Sequence, residues 1–167
     1  MTGRVVAVNT AVTNVTVACW FKMRSYESSY TTILTSGGLA PVAIGINNFN
    51  TGPFFQFSGA DYGIYNNAGY ASVIPTNVWH HMVYQWAKDG NYALWINTTN
   101  RALTKVGATN SWTQGAPFEI NFYPSYHGID GWISDIRVYT NYSFTQADVG
   151  NLYTNTFKPN GDIEVGY

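Results

Sequence analysis

Residues 78–86 read VWHHMVYQW and residues 92–97 read YALWIN, with the segment AKDGN between them. Both flanking runs are rich in aromatic and β-branched residues, which favour strands. Asp89-Gly90 supplies the residue types that accept positive φ angles in a tight turn between antiparallel strands. The stretch from Val78 to Asn97 therefore predicts a β-hairpin, and it is the strongest structural signal in the chain.

Apart from this hairpin, a strand is predicted at residues 14–22, where apolar residues alternate with a mixed set. The apolar set is Val15, Val17, Cys19 and Phe21, and the mixed set is Thr16, Ala18, Trp20 and Lys22. Further short β-rich runs, separated by turn residues, predict strands at residues 4–8, 31–35, 42–46, 54–57, 70–74, 101–106, 118–122 and 132–139.

Two local features stand out near the C-terminus. In the run 132–139, Ile133 is out of phase with Val138, so either a β-bulge shifts the register or both faces of the strand are covered. Beyond it, Thr145 is followed three residues later by Asp148, which resembles a capping box. This predicts a helix of one or two turns, weakened at Gly150.

The composition supports an all-β fold in one domain. The chain has 167 residues, of which 46% are hydrophobic and 17% aromatic. Leu, Glu and Lys, which favour helices, number five, three and four, against 14 Val, 11 Ile and 18 Thr. A chain of this size typically forms one core. No charge run, proline-rich linker or repeat divides it, so we predict a single domain over residues 1–167.

The charge and cysteine content exclude several classes of protein. Charged residues make up 10% of the chain and the net charge is −1, so the basic surface of nucleic-acid and anionic-membrane binders is missing. No apolar stretch approaches the ~18 residues that span a bilayer, and residues 1–10 lack the apolar segment of a secretory signal. Cys19 is the only cysteine, which excludes an intrachain disulfide and predicts a buried, inert thiol.

Three stretches of the chain carry a family resemblance. They are VTVACWFK at residues 15–22, WHHMVY at 79–84 with LWIN at 94–97, and GWISDIRVY at 131–139 with the helical turn after it. In this order and spacing they resemble the laminin G-like jelly rolls of the concanavalin A-like lectin and glucanase superfamily. The resemblance implies an antiparallel β-sandwich, a concanavalin A-like jelly roll, with one short helical turn near the C-terminus.

Two departures from the family pattern bear on metal binding. Ser134 stands where members of the family often carry the first of two consecutive acidic residues, and Asn97-Thr98 replaces the usual Asp-Gly. Both changes remove a carboxylate, whereas Ca²⁺ takes six to eight oxygen ligands, usually including several carboxylates. We therefore predict no cofactor, with Asp130 and nearby backbone carbonyls as the candidate ligands should Ca²⁺ bind.

The sequence predicts no enzymatic activity. The glucanase branch of the superfamily cleaves sugars with carboxylates at fixed spacing on one strand, because glycoside hydrolysis needs two carboxyl groups roughly 5–9 Å apart. Here Asn121 follows Glu119 two residues later, and no Glu-x-Asp pair occurs anywhere in the chain. His80 and His81 point to opposite faces of a regular strand and are expected to be packed rings that are hydrogen-bonded. No catalytic triad is readable around His127.

Aromatic residues in predicted loops form the candidate ligand-binding set, since flat rings with a polar tip suit sugar faces and protein interfaces. Pro124 limits the flexibility of one such loop and Gly128 allows a tight exit from it. The candidates are Tyr123, Tyr126 and His127 on this loop, Trp112 before the preceding strand, and Tyr62. The alternative is that these rings fold back as lids over the core.

Together these features predict a non-catalytic module that acts by surface contact. The first hypothesis is a decoration or tail protein of a virus (phage) particle, made in the cytoplasm, displayed on the virion surface and held by capsid or tail proteins. A neutral, polar surface suits a protein that docks on a repeating lattice. The alternative is an extracellular carbohydrate-binding or adhesion module that recognises cell-surface glycans. Neither hypothesis involves nucleic acid or membrane insertion.

Overall fold

A computed structural model describes residues 3–5, 14–25, 30–36, 42–47, 52–57, 60–63, 74–87, 92–101, 104–106, 118–120 and 127–155. These residues form thirteen strands and one helix. The strands are β1 (Gly3–Val5), β2 (Asn14–Met23), β3 (Tyr30–Ser36), β4 (Val42–Asn47), β5 (Gly52–Phe57), β6 (Ala60–Gly63), β7 (His80–Ala87), β8 (Tyr92–Ile96), β9 (Thr99–Arg101), β10 (Thr104–Val106), β11 (Phe118–Ile120), β12 (His127–Gly128) and β13 (Gly131–Thr140), and the helix is α1 (Gln146–Asn155).

The strands make two sheets, which confirms the predicted all-β sandwich. One sheet has eight strands in the order β1-β11-β3-β4-β5-β6-β10, with β12 added beside β3. The other has five strands in the order β13-β2-β7-β8-β9. Neighbouring strands pair antiparallel except β12, which pairs parallel with β3. The predicted hairpin is confirmed as β7 and β8, with Trp86 opposite Tyr92.

Strand β2 lies between β13 and β7 in the five-stranded sheet and is buried on both faces. Its apolar face, which includes Cys19 and Phe21, is at most 3% exposed. Its mixed face is equally buried at Thr16, Ala18 and Trp20, because α1 covers that side of the sheet. The thiol of Cys19 is buried as predicted, and burial raises its pKa to about 12.

The helix caps a small core of its own on the outer face of the five-stranded sheet. Val149 is fully buried against Ala18, Val83 and Trp95, with Leu152 packed beside them. The predicted capping box is present: the Thr145 amide donates to the Asp148 carboxylate over 2.8 Å, and the Asp148 amide donates to the Thr145 hydroxyl over 3.3 Å. These contacts fix where α1 begins and which face it buries.

Strand β13 contains the β-bulge that the sequence left as one of two alternatives. Ile133 pairs with Phe21 and Val138 with Val17, so the register shifts between residues 134 and 137. Asp135, inside the bulge, has a φ of 47°. At the start of the strand a Cβ on Gly131 would collide with the Lys22 carbonyl. Glycine is therefore needed there for the close approach of β13 to β2.

Three sequence-based assignments differ from the structure. The run 101–106, predicted as one strand, contributes to two, because the Asn97-Thr98 turn folds β9 back onto β8 while β10 pairs with β6 in the other sheet. Strand β6 was not predicted, since Gly and Asp are depleted in strands. The helix continues through Gly150 for ten residues, longer than one or two turns. The predicted strand at 70–74 lies outside the described residues, apart from Ile74.

Candidate functional site

The aromatic residues predicted as a binding set are placed only in part. Tyr62 lies within β6, paired with Phe55 and Lys105, and not in a loop as predicted, because β6 is held between β5 and β10. His127 opens β12 beside Thr31, so its backbone is part of the eight-stranded sheet. Trp112, Tyr123 and Tyr126 lie outside the described residues. Their role in binding stays a prediction.

Asp130, the predicted candidate for a Ca²⁺ ligand, is engaged by the end of β2. Its carboxylate accepts a hydrogen bond of 2.8 Å from the Ser25 hydroxyl and lies 3.4 Å from Nη1 of Arg24. Its carbonyl accepts from the Arg24 amide over 2.8 Å. Among the described residues no three His, Cys, Asp or Glu side chains gather as a metal centre would require. The carboxylate here joins the start of β13 to β2, and Ca²⁺ binding stays untested.

His80 and His81 point to opposite faces of β7, as predicted. The Pro75 carbonyl only accepts, so His80 donates to it from Nε2 over 2.9 Å, and its Nδ1 accepts from the Asn97 amide over 3.1 Å. Burial lowers the pKa of His80 and keeps this ring neutral. The same Asn97 side chain accepts the His81 amide over 2.9 Å. Asn97 thus links the β8–β9 turn to both histidines of β7. The sequence analysis noted only that Asn97-Thr98 replaces the Asp-Gly of the family pattern and did not predict this role.

His81 packs under the helix between two aromatic rings. Its ring centroid lies 5.0 Å from that of Trp20 and 5.8 Å from that of Tyr153. Burial lowers its pKa to about 4, so the ring is neutral near pH 7. Its Nδ1 has no hydrogen-bond partner among the residues that the structure describes. His81 therefore has the packed environment that was predicted, but within that part of the chain its Nδ1 lacks the hydrogen bond that was predicted with it.

A shallow depression of about 360 Å³, open to solvent, lies between the C-terminal half of β13 and the helix. We call it the β13–α1 groove. It is lined by Arg137, Tyr139, Tyr142, Phe144, Asp148, Asn151, Leu152 and Asn155. Its volume lies at the lower end of the roughly 300–1,000 Å³ range of ligand sites.

Aromatic rings form one wall of the groove. Phe144 meets Tyr139 edge-on at 4.8 Å between centroids and Tyr142 edge-on at 5.3 Å. Tyr142 is 51% exposed, one of two large hydrophobic side chains in the described residues that face solvent to this degree. An exposed ring supported edge-on by another is a ready surface for a flat apolar ligand face.

The chain segment that carries these rings is tied down by hydrogen bonds. The Phe144 amide donates to Oε1 of Gln85 over 2.6 Å. The Asn141 amide donates to the Asn14 carbonyl over 2.9 Å, and the Asn14 side chain donates to the Ser143 hydroxyl over 2.5 Å. Because these anchors already hold the segment in the free protein, little conformational entropy remains to be lost when a ligand binds.

Polar groups line the rest of the groove. Arg137 donates to both carboxylate oxygens of Asp135, at 2.8 and 3.0 Å. Hydrogen bonds from the Thr145 hydroxyl and amide hold the pKa of Asp148 below its usual range. Asn151 and Asn155 lie four residues apart, on one side of the helix. The groove therefore combines an aromatic wall with amide, hydroxyl and carboxylate groups.

This arrangement suits binding better than hydrolysis. Asp148 is the one carboxylate among the lining residues, and its lowered pKa keeps it ionised. A glycosidase acid instead needs a raised pKa and a second carboxyl group within reach. The neighbouring Asp135 is occupied by the Arg137 guanidinium. The lining offers hydrogen bonds and a stacking surface but no acid–base pair.

Sequence reasoning did not find the groove. It assigned Tyr139 to a strand and left Tyr142 and Phe144 without a role. The available signal was the segment YTNYSF at residues 139–144, where three aromatic residues lie between the end of a strand and a helix cap. Recognising it required knowing that α1 folds back over the same face of the sheet.

No helix in the described residues is long and apolar enough to span a membrane.

A family model described as the concanavalin A-like lectin/glucanases superfamily, Laminin_G_3, matches residues 3–150. No curated protein matches the chain in sequence. Domain 4 of AbnA, a GH43 extracellular arabinanase from Geobacillus stearothermophilus, solved in complex with arabinotriose, has a TM-score of 0.66 and 16% identity over 90% of this chain and 71% of that one.

Two further similar structures are botulinum neurotoxin binding domains. That of serotype DC in complex with rat synaptotagmin II has a TM-score of 0.63 and 16% identity, over 86% of this chain and 36% of that one. The same domain in complex with SialylT has a TM-score of 0.61 and 18% identity, over 86% and 35%. The chain thus spans little more than a third of these toxin domains. At such identities the likeness establishes the shared fold.

Proposed function

Because the chain belongs to the concanavalin A-like lectin/glucanases superfamily, we propose that it is a non-catalytic binding module. Its ligand is a glycan, bound in the β13–α1 groove. The observation that carries the proposal is Tyr142, a ring 51% exposed at the mouth of a groove lined with amide and hydroxyl groups. Sugars present one apolar face and a periphery of hydroxyls, which matches that combination.

Similar structures support the choice of ligand class. The arabinanase domain was solved with arabinotriose and a toxin binding domain with SialylT, so saccharides occur among proteins of this fold. A toxin binding domain was also solved with synaptotagmin II, a protein ligand. The hydroxyl-matching groups of the groove favour a saccharide over a protein here.

The test of this function begins with a screen of the purified chain on an array of oligosaccharides, arabinotriose included. We expect retention of a defined group of glycans, weakened by Tyr142→Ala and not by Val78→Ala. Val78 is a suitable control because it is the other large exposed hydrophobic residue among those described, at 47%, and lies outside the groove. Incubation with bound glycans should release no reducing sugar. Binding to no glycan would contradict the proposal.

Display on a virus particle is the second candidate, supported by the low charge of the chain. With 10% charged residues and a net charge of −1, copies held side by side repel each other weakly. In this candidate the chain is made in the cytoplasm and mounted on capsid or tail proteins. Light scattering on the purified chain and imaging of its native particle test it. A strictly monomeric chain found only within a secreted multidomain protein would contradict it.

A further inference from the structure

The cation that lines the β13–α1 groove is already paired. Arg137 donates from Nε and Nη2 to the two carboxylate oxygens of Asp135, in the bidentate geometry that gives the strongest ion pairs. The β-bulge sets this up, since a φ of 47° at Asp135 turns its side chain toward the residue two positions on. Asp135 thus neutralises the charge of Arg137, although the remaining N–H groups of the guanidinium can still donate to a ligand.

The N-terminus of α1 is occupied as well. A helix N-terminus ordinarily attracts anions, because its first amide groups lack partners. Here the Thr145 amide donates to the Asp148 carboxylate over 2.8 Å, and the Asp148 amide, in the first turn of the helix, donates to the Thr145 hydroxyl over 3.3 Å. The negative charge that this helix end can accommodate is already supplied by Asp148.

The remaining lining groups are uncharged at neutral pH. Asn151 and Asn155 each offer an amide donor and an acceptor, whereas the hydroxyl of Tyr139 is hydrogen-bonded to Arg137 and that of Tyr142 to Asp148. The carboxylate of Asp148 accepts hydrogen bonds from sugar hydroxyls as readily as from Thr145, but it repels a ligand carboxylate. Donors, acceptors and a stacking ring are therefore available, whereas an unpaired positive charge is not.

We propose that the groove is selective for neutral saccharides and rejects glycans that carry sialic or uronic acid, an inference that rests on the proposed glycan-binding function. Two carboxylates produce the selectivity in different ways. Asp148 repels the acid directly, and Asp135 neutralises the guanidinium charge that would otherwise attract it.

The experiment compares each neutral oligosaccharide retained on the array with its acidic counterpart, by calorimetry at low ionic strength. We expect the neutral member to bind about tenfold more tightly, and this ratio to shrink in 0.5 M NaCl, where charges are screened beyond a few ångströms. Equal or tighter binding of the acidic member, still abolished by Tyr142→Ala, would overturn the selectivity and leave the binding function standing. Absence of binding to every glycan would overturn both.

Two variants and a matched control test which carboxylates produce the selectivity. Asp148→Asn keeps an acceptor for Thr145 and removes the charge, and Asp135→Asn suits a positive φ and releases Arg137. Each should reduce the ratio of neutral to acidic affinity by about threefold or more. Asp130→Asn, the control, changes the net charge equally at the other end of β13. A control variant that reduces the ratio as much as the other two would contradict the proposal.

Discussion

Thr98 adopts a backbone conformation that its side chain disfavours. It forms the β8–β9 turn with Asn97, at φ angles of 68° and 48°. Two consecutive positive φ angles between paired strands are typical of a type I′ turn, whose second position favours glycine. Threonine is β-branched and pays about 1–2 kcal/mol for this conformation. The turn is kept by Asn97, whose side chain bonds both His80 and His81.

Replacing this threonine should stabilise the protein. Thr98→Gly relieves the strain, and we expect a gain of about 1 kcal/mol, or roughly 2–4 °C in the melting temperature of a chain this size. Asn97→Gly, one residue earlier, also tolerates a positive φ but loses the two hydrogen bonds to the β7 histidines. It should therefore destabilise by about 1–2 kcal/mol. Thermal unfolding of both variants measures the difference, and equal effects would argue against this description of the turn.

His81 should make the stability of the fold depend on pH. Its pKa is lowered from 6.5 to about 4 in the folded chain, so the unfolded chain binds the proton more tightly. Its contribution to stability is complete above pH 6.5 and is lost as the pH falls toward 4. Between pH 7 and 4.5 we expect a loss of about 2.5 kcal/mol in the free energy of unfolding.

His81→Phe isolates this contribution, since phenylalanine keeps the ring between Trp20 and Tyr153. Urea unfolding at the two pH values should show a clearly smaller loss in the variant than in the parent chain. The remaining loss comes from His80, whose pKa is lowered by burial too. An unchanged pH dependence would mean that His81 is not the neutral, desolvated ring described above.

At the scale of elements, tertiary packing of α1 outweighs the low helix propensity of one of its residues. The sequence predicts that α1 weakens at Gly150, yet the helix runs to Asn155. Val149 is fully buried, and Leu152 and Tyr153 pack beyond the glycine on the same face of the sheet. Burial of those side chains outweighs the roughly 1 kcal/mol that glycine costs inside a helix.

Substitutions at two neighbouring helix residues separate the contribution of side-chain packing to stability from that of helix propensity. Val149→Ala removes buried methyl groups from the core under α1 and should destabilise by about 2 kcal/mol. Gly150→Ala meets no atom within 4 Å, so it should stabilise by about 0.5–1 kcal/mol through the lower entropy of the unfolded chain. Chemical denaturation of both variants tests this pair. A destabilising Gly150→Ala would show that something covers that face of the helix.

The β-bulge in β13 was accessible from the sequence, because Ile133 and Val138 fall on opposite phases of a regular strand. The length of α1 and the groove it forms were not. The groove depends on how a helix and a bulged strand meet, and neither periodicity nor capping residues encode that tertiary placement. Tyr139 and Phe144 come together because Gln85, on another strand, anchors the Phe144 amide.

At the scale of the whole molecule, the sandwich follows from patterns that are local in the chain. The β7–β8 hairpin was predicted from two β-rich runs around Asp89-Gly90, and β2 from its alternation with a period of two. Each signal lies within some twenty residues of the chain. The run 101–106 was misassigned because the chain passes there from one sheet to the other, a change of partner that leaves no mark on composition. The aromatic residues Trp112, Tyr123 and Tyr126 remain predicted binding residues for the same surface-contact function.

The central claim is that this sandwich binds a glycan in the β13–α1 groove without cleaving it. Calorimetric titration of the parent chain and of Tyr142→Ala with a glycan retained on the array tests this claim most directly. The exposed ring should contribute about 1.4 kcal/mol by stacking, so we predict roughly tenfold weaker binding with a melting temperature nearly unchanged. Undiminished affinity in Tyr142→Ala, with Val78→Ala behaving identically, would contradict the account.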